Sequence, residues 1–408
     1  MLRSIQGAGR GEGHASLRVA RKQCHLTSGW AYHQLSIVRP KILIFLPANI
    51  GDTVVALPLL HLIARRFPES ECRILSRRGR SAAAGSCVAL LEGAGLAHGW
   101  LEADYAQVMA SWRERLALAA QIRRWHPDTL IYLGYVKSLK RLLVEALFFR
   151  LCGARRLVGI PWARALREHR WRPERGRWEY ESERLARCLH ELGDARLSDR
   201  ASWDLRLTAE EHSRGLCALA PARTPAGVIV ASVGATADVK DWGADNWRTL
   251  LGALNRSANG YGLAFVGAAA VFERSEVIRQ AWRGPSVNLC GRLSVRESAA
   301  IMSHGTVFVG HDDGPMHLAA AAGLPCVALF SGRARPGVWF PFGEHHKVIY
   351  HSVPCQGCGL EACLRYAKRC IASITVDEVV AAVHDALGHA QSRHPGGLGT
   401  GARGGAGR

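Results

Sequence analysis

The chain alternates short apolar runs with longer amphipathic segments, and this alternation constrains its fold most strongly. The first run, "KILIFLP" (41–47), is continuously apolar and bounded by proline, which is typical of a strand covered on both faces. After "ANIGD" comes "TVVALPLLHLIARRF" (53–67), whose apolar residues recur at helical spacing. A strand, a tight turn and a helix in this order predict the opening unit of a nucleotide-binding α/β fold.

The same rhythm starts again at "GVIVASVGA" (227–235), after the proline-punctuated segment "ALAPARTPAG". Two series of alternating strands and helices predict two open α/β domains. We assign an N-terminal domain to 41–207, a linker to 208–226 and a C-terminal domain to 227–388. Ligands of such sheets bind at the carboxyl ends of the strands, so we expect the site in a cleft between the domains.

The two ends of the chain have compositions that do not support packing. Residues 1–40 hold six Lys or Arg and one acid, and residues 389–408 are rich in glycine; we predict a disordered basic extension and a disordered tail. The extension lacks the apolar core of a secretory signal, and no run approaches the roughly 18 apolar residues that a membrane span needs. These features predict a soluble, cytoplasmic protein.

The chain is strongly basic, with a net charge of +19, and this favours anionic partners. Twelve arginines lie between Arg141 and Arg187, interleaved with Trp162, Trp171 and Trp178. One interpretation is a solvated face whose long side chains cover apolar surface. The other is a patch for an anionic glycolipid or glycan acceptor, or for the inner-membrane surface. No nucleic-acid recognition motif accompanies the charge, so we expect no specific nucleic-acid partner.

Four of the twelve cysteines are clustered in "CQGCGLEACLRYAKRC" (355–370). One interpretation is that Cys355, Cys358, Cys363 and Cys370 share a structural zinc ion or an iron–sulfur cluster. Their spacing departs from the common zinc signatures, because the second pair is not a tight C-x-x-C. The other interpretation is a loop of packing thiols. The remaining cysteines, in a chain without a signal peptide, indicate a reducing compartment.

Two loops that follow predicted strands carry candidate functional residues. In "PANIGDTV" (47–54), Gly51 permits a tight turn and Asp52 falls at the start of the helix, where its carboxylate either caps the helix or acts as a general base. In "VGATADVKDWGADNW" (233–247), Thr236 and Lys240 follow a strand among small residues. This pattern favours an anion site with the lysine as its point charge; a solvated surface lysine is the alternative.

A third loop, "GHDDGPMH" (310–317), joins an apolar strand to an alanine-rich helix. Gly314 and the proline after it leave amides at the helix N-terminus available to an anion. Asp312 and Asp313 would repel a phosphate, so we expect them to face sugar hydroxyls. His317 lies one turn inside the helix, where a structural role is the more common outcome. The loop predicts a diphosphate on the helix end and hydroxyls on the acids.

Several segments together resemble glycosyltransferase family 9, the family of the ADP-heptose:lipopolysaccharide heptosyltransferases. They are, in order over about residues 41–385, "IGDTVVALPLLHLIARRFP", "KDWGADNW", "GHDDGPMHLAAAAGLPCVALF" and "RPGVWFPFG" followed by the cysteine-spaced tail. The resemblance implies a GT-B fold, with two Rossmann-like open parallel-sheet domains facing a cleft. The acceptor would bind the N-terminal domain and the nucleotide sugar the C-terminal one.

Carried over residue by residue, the resemblance implies roles for five positions. Asp52 matches the catalytic carboxylate that deprotonates the acceptor hydroxyl for in-line displacement with inversion. Lys240 matches the lysine on the donor diphosphate, with Thr236 beside it. Asp312 matches the acid that contacts the sugar, and Gly314 the glycine whose amide region takes phosphate. No divalent cofactor is required in this scheme.

Two positions depart from the family's pattern. Asp313 stands where the family often has Thr or Ser, and Asn288 stands about where lipopolysaccharide heptosyltransferases carry a ribose-binding glutamate. We expect both, together with His317, to line the donor site. The resemblance therefore leaves open both the nucleotide and the sugar of the donor.

These observations predict an inverting glycosyltransferase, with heptose from an ADP-linked donor as one candidate sugar. The acceptor would be the lipopolysaccharide core or another cell-surface glycan, at the cytoplasmic face of the inner membrane. The alternatives are a non-catalytic sugar-nucleotide-binding protein and a GT-B transferase with a different donor and acceptor.

Overall fold

The computed structural model of the chain describes residues 39–78, 87–135 and 138–393. The predicted basic extension (1–40) lies outside the described residues except for its last two positions. The predicted glycine-rich tail (389–408) lies outside them from residue 394 onward. The final helix continues to Arg393 and so includes the first residues that the composition assigns to the tail.

The first half of the described chain forms an open, five-stranded sheet. Its strands are β1 (Lys41–Leu46), β2 (Glu71–Arg77), β3 (Gly99–Ala103), β4 (Thr129–Tyr132) and β5 (Arg156–Val158). Their order is β3-β2-β1-β4-β5, and all four pairs are parallel. The helices of this half are α1 (Ile50–Val55), α2 (Leu57–Arg66), α3 (Cys87–Leu91), α4 (Tyr105–Ala110), α5 (Trp112–Trp125), α6 (Leu139–Leu151), α7 (Arg164–Arg167) and α8 (Glu181–Cys188).

The alternation of side chains along β1 decides which helices cover each face of this sheet. Ile42, Ile44 and Leu46 belong to a buried cluster with α1, α2 and α3, whereas Leu43 and Phe45 belong to a second cluster with α5 and α6. Successive side chains of a strand point to opposite faces. The continuous apolar run of β1 therefore supplies both cores, as the sequence predicts for a doubly covered strand.

The second half forms an open, six-stranded sheet. Its strands are β8 (Val228–Ser232), β9 (Gly262–Phe265), β10 (Ser286–Asn288), β11 (Val307–His311), β12 (Cys326–Phe330) and β13 (Lys347–Tyr350). Their order is β10-β9-β8-β11-β12-β13, and all five pairs are parallel. The helices are α9 (Ala209–Leu219), α10 (Ala244–Ser257), α11 (Phe272–Arg279), α12 (Val295–Met302), α13 (Gly314–Ala321), α14 (Arg369–Ala372) and α15 (Val376–Arg393).

Both faces of the second sheet are also covered, by two separate buried clusters. Two open parallel sheets with helices on both faces confirm the predicted α/β class. Short 3-10 turns lie at Pro173–Arg175, His190–Leu192, Arg200–Trp203, Ala220–Ala222, Asp238–Lys240 and Ala269–Val271. The segment 208–226, predicted as a linker, contains helix α9, which Thr208 caps by accepting a hydrogen bond from the backbone N–H of Glu211.

A small antiparallel hairpin connects the two halves. It consists of β6 (Trp171–Arg172) and β7 (Arg177–Trp178). The backbone N–H of Trp178 donates to the carbonyl of Pro336 at 2.8 Å, and a Cβ on Gly337 would lie 2.2 Å from the Trp178 carbonyl oxygen. Gly337 has φ +100°, a conformation that favours glycine. Glycine is therefore needed here both for this backbone conformation and for the close approach to Trp178.

The ends of α1 and α13 meet where the two halves face each other. A Cβ built on Gly51 would lie 2.9 Å from Cδ2 of His317, and one on Gly314 would lie 3.5 Å from the side chain of Ile50. Backbone contacts join the described residues, from Arg39 to Arg393, into one compact unit. Within the described ranges, no helix is long and apolar enough to cross a membrane.

Arg296 of α12 ties the segment between the sheets to both halves. Its guanidinium, which is 5% exposed, pairs with Glu211 of α9 at 2.5 Å. It also donates to the carbonyls of Leu90, Leu205 and Arg206 at 2.9, 3.1 and 2.9 Å. One side chain therefore satisfies a carboxylate and three carbonyls that would otherwise lack these donors.

We predict that Arg296→Met lowers the free energy of unfolding by about 3 kcal/mol, because removing one partner leaves buried polar groups unpaired. Urea denaturation followed by circular dichroism measures the change. Arg248→Met is the matched control, since its pair with Asp245 is solvent-exposed and its loss should cost less than about 1 kcal/mol. Equal losses in the two variants would contradict this role for Arg296.

Candidate active site

Asp52 lies at the third position of α1, just beyond the carboxyl end of β1. The backbone N–H of Asn49, which precedes the helix, donates to Oδ2 of Asp52 at 3.1 Å. This contact satisfies one of the amides that a helix start leaves unpaired. The structure records no hydrogen bond to Oδ1 from any described residue. Asp52 therefore has a capping contact through one oxygen and a second oxygen available to a substrate.

The surroundings of Asp52 raise the pKa of its carboxyl above the ordinary value of 3.8. Burial is the largest cause, and the carboxylates of Glu181 and Asp312 add to it. The Asn49 N–H and the Lys240 ammonium act in the opposite direction but do not outweigh burial. A raised pKa makes the ionised carboxylate a stronger base than an ordinary surface aspartate.

Lys240 reaches Asp52's neighbourhood from the other sheet. It ends the 3-10 turn Asp238–Lys240 in the loop that follows β8. Its Nζ donates to the carbonyl of Asp312 at 2.5 Å and pairs with Oδ2 of the same residue at 3.2 Å. The lysine and aspartate side chains are only 12% and 8% exposed, so this is a desolvated ion pair rather than the solvated lysine of the alternative interpretation.

The loop after β11 contacts the Lys240 loop through Asp313. The carboxylate of Asp313 accepts hydrogen bonds from the backbone N–H and the hydroxyl of Thr236, at 2.7 and 3.1 Å. It also accepts one from the N–H of Gly314, at 3.2 Å, and thereby caps α13. Three donors that the sequence assigns to a phosphate are thus held by an aspartate of the chain itself.

Burial raises the pKa of Asp313, Lys240 lowers it, and Asp312 raises it further. The net direction is upward, because the carboxylate is desolvated and lies beside a second one. The cluster of Asp52, Asp312 and Asp313 therefore places three carboxyl groups around a single ammonium. Such a cluster has an excess of negative charge before any phosphate enters.

His311, in the same motif, fixes the Lys240 loop to β11. Its Nδ1 lies 2.8 Å from the carbonyl of Gly234, and its Nε2 accepts the backbone N–H of Trp242 at 3.2 Å. These partners require a neutral ring with the proton on Nδ1, and burial lowers the pKa of His311 accordingly. The role of His311 was not predicted from the sequence, because its ring contacts residues more than 60 positions away in the chain.

His317 packs between the two halves. Burial, with a smaller contribution from Lys240, lowers the pKa of His317 to about 3, so its ring is neutral at physiological pH. It lies against Gly51 and lines a cavity of about 440 Å³ between the halves. Other residues that line this cavity are Val55, Tyr180, Trp203, Phe340 and Phe342. These contacts agree with a structural histidine, and donor binding by His317 stays a prediction.

Asn288 lies at the end of the edge strand β10. Its amide donates to the carbonyl of Phe272 at 3.0 Å and to the carboxylate of Glu276 at 3.2 Å, and its oxygen accepts the N–H of Cys290. It lines a second depression, of about 320 Å³, together with residues of α11. Thr236, Lys240, Asp312 and Asp313 do not line that depression. Its predicted contact with the donor therefore remains a prediction.

A buried ionic network in the first half of the chain was not found from the sequence. Glu181 at the start of α8 pairs with Arg184 at 2.5 Å and with Nε2 of His169 at 2.7 Å, and all three side chains are buried. Burial alone would raise the pKa of Glu181, but Arg184 and His169 hold it below its usual range. The ionised Glu181 then contributes to the raised pKa of Asp52. Glu181 and Arg184 are spaced like residues of an ordinary solvated helix face, and His169 lies outside that helix, so the sequence carried no signal of this burial.

The four clustered cysteines are free thiols in this structure. Cys355, Cys358 and Cys370 lie near one another, since each of the first two affects the pKa of Cys370. Among the described residues, however, no three His, Cys, Asp or Glu side chains come together closely enough to hold a metal ion. The zinc or iron–sulfur centre stays a prediction from the spacing.

The chain is similar to known proteins in sequence and in fold. The model of "Glycosyltransferase family 9 (heptosyltransferase)" matches residues 132–366. Lipooligosaccharide heptosyltransferase 2 of Haemophilus influenzae is 34% identical over 94 residues, which cover 22% of this chain and 27% of that relative. The match thus spans about a quarter of the relative's length.

Two solved structures share the fold. The family 9 glycosyl transferase of Veillonella parvula superposes with a TM-score of 0.63 at 15% identity, over 86% of this chain and 98% of that one. The ADP-heptose lps heptosyltransferase II of E. coli superposes with a TM-score of 0.59 at 20% identity, over 86% and 99%. These likenesses confirm the predicted GT-B arrangement of two Rossmann-like sheets. The family match covers more than half of the sequence, and the chain belongs to glycosyltransferase family 9.

Proposed function

We propose that this protein is an inverting glycosyltransferase that moves a sugar from a nucleoside-diphosphate donor to a hydroxyl of a glycan acceptor. The observation that carries the proposal is the close approach of α1 to α13 at Gly51 and His317, which brings Asp52 of α1 within electrostatic reach of Lys240 in the loop after β8. A general base and a cation at the facing carboxyl ends of two sheets are the groups that such a displacement needs.

Asp52 is the proposed general base. Its raised pKa and its second carboxylate oxygen suit it to take the proton of the acceptor hydroxyl as that oxygen bonds to the anomeric carbon. The bond from the anomeric carbon to the diphosphate breaks on the opposite side, so the configuration inverts. The electron pair of that bond leaves with the nucleoside diphosphate.

Lys240 is proposed to stabilise the charge of the leaving diphosphate. It is nearly buried, and a cation in a desolvated site acts more strongly than one in water. In the structure the ammonium is held by Asp312, which keeps it in place before the donor binds. On donor binding, Asp312 would exchange this contact for hydroxyls of the sugar, and the amides of Thr236 and Gly314 would receive the diphosphate.

The donor we propose first is ADP-heptose. Its support is the family to which the chain belongs and the E. coli protein of the same fold, whose name includes that donor. We place Asn288, whose position follows from the family resemblance, and His317 at the margin of this donor site. No catalytic step is assigned to the cysteine cluster, whose thiols do not form a metal site in the structure.

The acceptor we propose is the lipopolysaccharide core or another anionic cell-surface glycan, met at the cytoplasmic face of the inner membrane. The relative from Haemophilus influenzae is a lipooligosaccharide heptosyltransferase, which supports a lipooligosaccharide acceptor. Part of the arginine-rich segment is already paired within the chain: Arg172 and Arg187 lie on the buried Glu179, and Arg184 on Glu181. These internal ion pairs occupy the three guanidinium groups, so we assign these arginines to holding the fold of the proposed acceptor-binding half and not to anion binding.

A non-catalytic sugar-nucleotide-binding protein is the second candidate function. Two contacts favour it: Asp52 has a capping role, and Asp313 occupies donors expected for the diphosphate. The burial of the Lys240 ammonium argues against a purely binding role, because helix capping by Asp52 and Asp313 does not require a desolvated cation. The two functions differ in turnover, which the first experiment below measures.

Asp52→Asn should bind donor as wild type does but lower kcat by about 10²–10⁴-fold, because the amide cannot accept the acceptor proton. Lys240→Met should lower kcat by about 10²–10³-fold and weaken donor binding as well. Nucleotide release from ADP-, GDP-, UDP- and CMP-linked sugars, with thermal shift for binding, measures both. Full transfer by Asp52→Asn would exclude the proposed base; binding without turnover in wild type would favour the second candidate.

Asp52→Asn should also raise the melting temperature at pH 7. The pKa of Asp52 is higher in the folded than in the unfolded chain, so the folded state binds this proton more tightly and stability falls as pH rises through the two values. Above both values the ionised group destabilises the fold, and the amide removes this effect. Melting curves at pH 7 and pH 4 should show a gain that shrinks in acid. Asp245→Asn, at an exposed position, is the control, and a loss of stability at pH 7 in Asp52→Asn would contradict the raised pKa.

Asp313→Ser should strengthen binding of ADP by about tenfold. The serine can still cap α13, while the loss of a carboxylate frees the N–H of Thr236 and removes repulsion of the diphosphate. Isothermal titration calorimetry measures the change, with Asp238→Asn, in the loop that carries Thr236, as control. If the variant binds ADP more weakly, Asp313 is a positive part of the nucleotide site instead of a competitor for its donors.

A further inference from the structure

The solvent-facing side of α6 is apolar and basic without a single acid. Eight residues of this helix are exposed. Five of them are large and apolar, and three are basic. They are Leu139, Leu143, Val144, Leu147 and Leu151, and Lys140, Arg141 and Arg150. Glu145, the helix's acid, is buried and bonded to Arg141 and Tyr132.

The apolar residues of this side form a stripe rather than a scatter. Leu139, Leu143, Leu147 and Leu151 are spaced four residues apart, and residues four apart are neighbours on a helix surface. Leu147 and Leu151 are 60% and 61% exposed. The opposite side of α6 supplies Leu142, Ala146 and Phe149 to the core against the first sheet, so the helix does not need the stripe for folding.

Helix α5 extends the same surface. Both helices pack on one face of the first sheet, in the same buried cluster, and the guanidinium of Arg123 in α5 donates to the carbonyl of Leu151 at 2.9 Å. Trp112 and Leu116 of α5 are 64% and 58% exposed, with Arg113 beside them. Glu114 is the exposed acid of these two helices, and it stands among more numerous exposed arginines and a lysine. Exposed apolar side chains rimmed by predominantly basic residues mark an interaction surface.

We propose that this surface, called the α5–α6 face and defined by Trp112, Leu116, Leu139, Leu143, Val144, Leu147 and Leu151, binds an anionic lipid membrane. Leucines and tryptophan would enter the headgroup boundary while the arginines and lysine meet anionic headgroups. The proposal deepens the proposed function, on which it rests, by naming the part of the molecule that brings it to a lipid-borne acceptor.

Charge favours a membrane over a second copy of the chain. A symmetric dimer through this face would bring the same patch of both copies together. Lys140 and Arg150 would then lie against basic residues of the partner copy, and Glu114 of α5 is too little negative charge for the exposed bases of α5 and α6. Like charges in a desolvated interface are repulsive, whereas an anionic bilayer supplies the missing negative charge.

The direction of α6 relates this face to the candidate active site. The helix starts at Leu139, shortly after the carboxyl end of β4, which is the edge of the sheet where the cleft lies. Its 13 residues extend about 20 Å away from that edge, at 1.5 Å per residue. A membrane on the α5–α6 face therefore borders the mouth of the cleft, where a lipid-linked acceptor would enter.

Vesicle flotation of the full chain tests the proposal. We expect binding to phosphatidylcholine vesicles that contain phosphatidylglycerol, weaker binding to phosphatidylcholine alone, and a loss of binding when NaCl is raised to about 0.5 M. Leu143→Glu/Leu147→Glu should lower the partition coefficient by at least about tenfold. Lys140→Gln/Arg113→Gln should lower binding to the anionic vesicles only. Val277→Glu, at a half-exposed apolar position of α11, is the matched control and should bind as wild type does.

Three outcomes would overturn the proposal. They are absence of wild-type binding to anionic vesicles, equal binding by wild type and Leu143→Glu/Leu147→Glu, and conversion of a dimer to a monomer by that variant in light scattering, which would assign the face to a second copy. Donor turnover in solution separates this test from the proposed function. The glutamate variant should release nucleotide as wild type does, so a wild type that floats without turnover would refute only the proposed function.

Discussion

The approach of α1 to α13 is the contact on which the candidate site depends. Two glycines, Gly51 and Gly314, stand at this contact, and a side chain on Gly51 would enter the ring of His317. The close approach brings the carboxyl ends of two independent parallel sheets together. Asp52, which the first sheet carries, then lies within electrostatic reach of Lys240 and Asp312 on the second. Asp52 belongs to the first half and Lys240 to the second, so the candidate site needs both halves.

The electrostatics of the site follow from desolvation. Carboxyl groups gathered around Lys240 lose water, so the pKa values of Asp52 and Asp313 rise, while burial keeps His311 and His317 neutral. Lys240 is therefore the cation of this cluster, and the neutral histidines hold backbone and helices in place. A carboxylate of increased basicity beside a held cation suits the displacement at an anomeric carbon that we propose. Asp313 adds a competitor for the donors that a diphosphate would use.

The sequence predicted the parts of the fold that are coded locally. Apolar runs such as "KILIFLP" predicted strands, and strand-exit loops identified Asp52, Lys240 and Asp312, because parallel strands collect their loops at one edge. It did not predict the bond from Asp313 to Thr236, the buried ion network of Glu181, or the apolar exposed side of α6. Each of these depends on which residues of distant segments meet, or on which side of a helix the sheet leaves uncovered. Charge spacing along one helix is the same whether a residue is solvated or buried.

A double-mutant cycle on kcat/KM tests the central claim, that Asp52 and Lys240 act in one site across the cleft. Asp52→Asn, Lys240→Met and the double variant are compared with wild type, using the nucleotide sugar that wild type turns over. The account predicts strong non-additivity, with the double variant little slower than the slower single variant, because a lost base and a lost cation impair the same transition state. Fully additive losses, or full activity in either single variant, would contradict it.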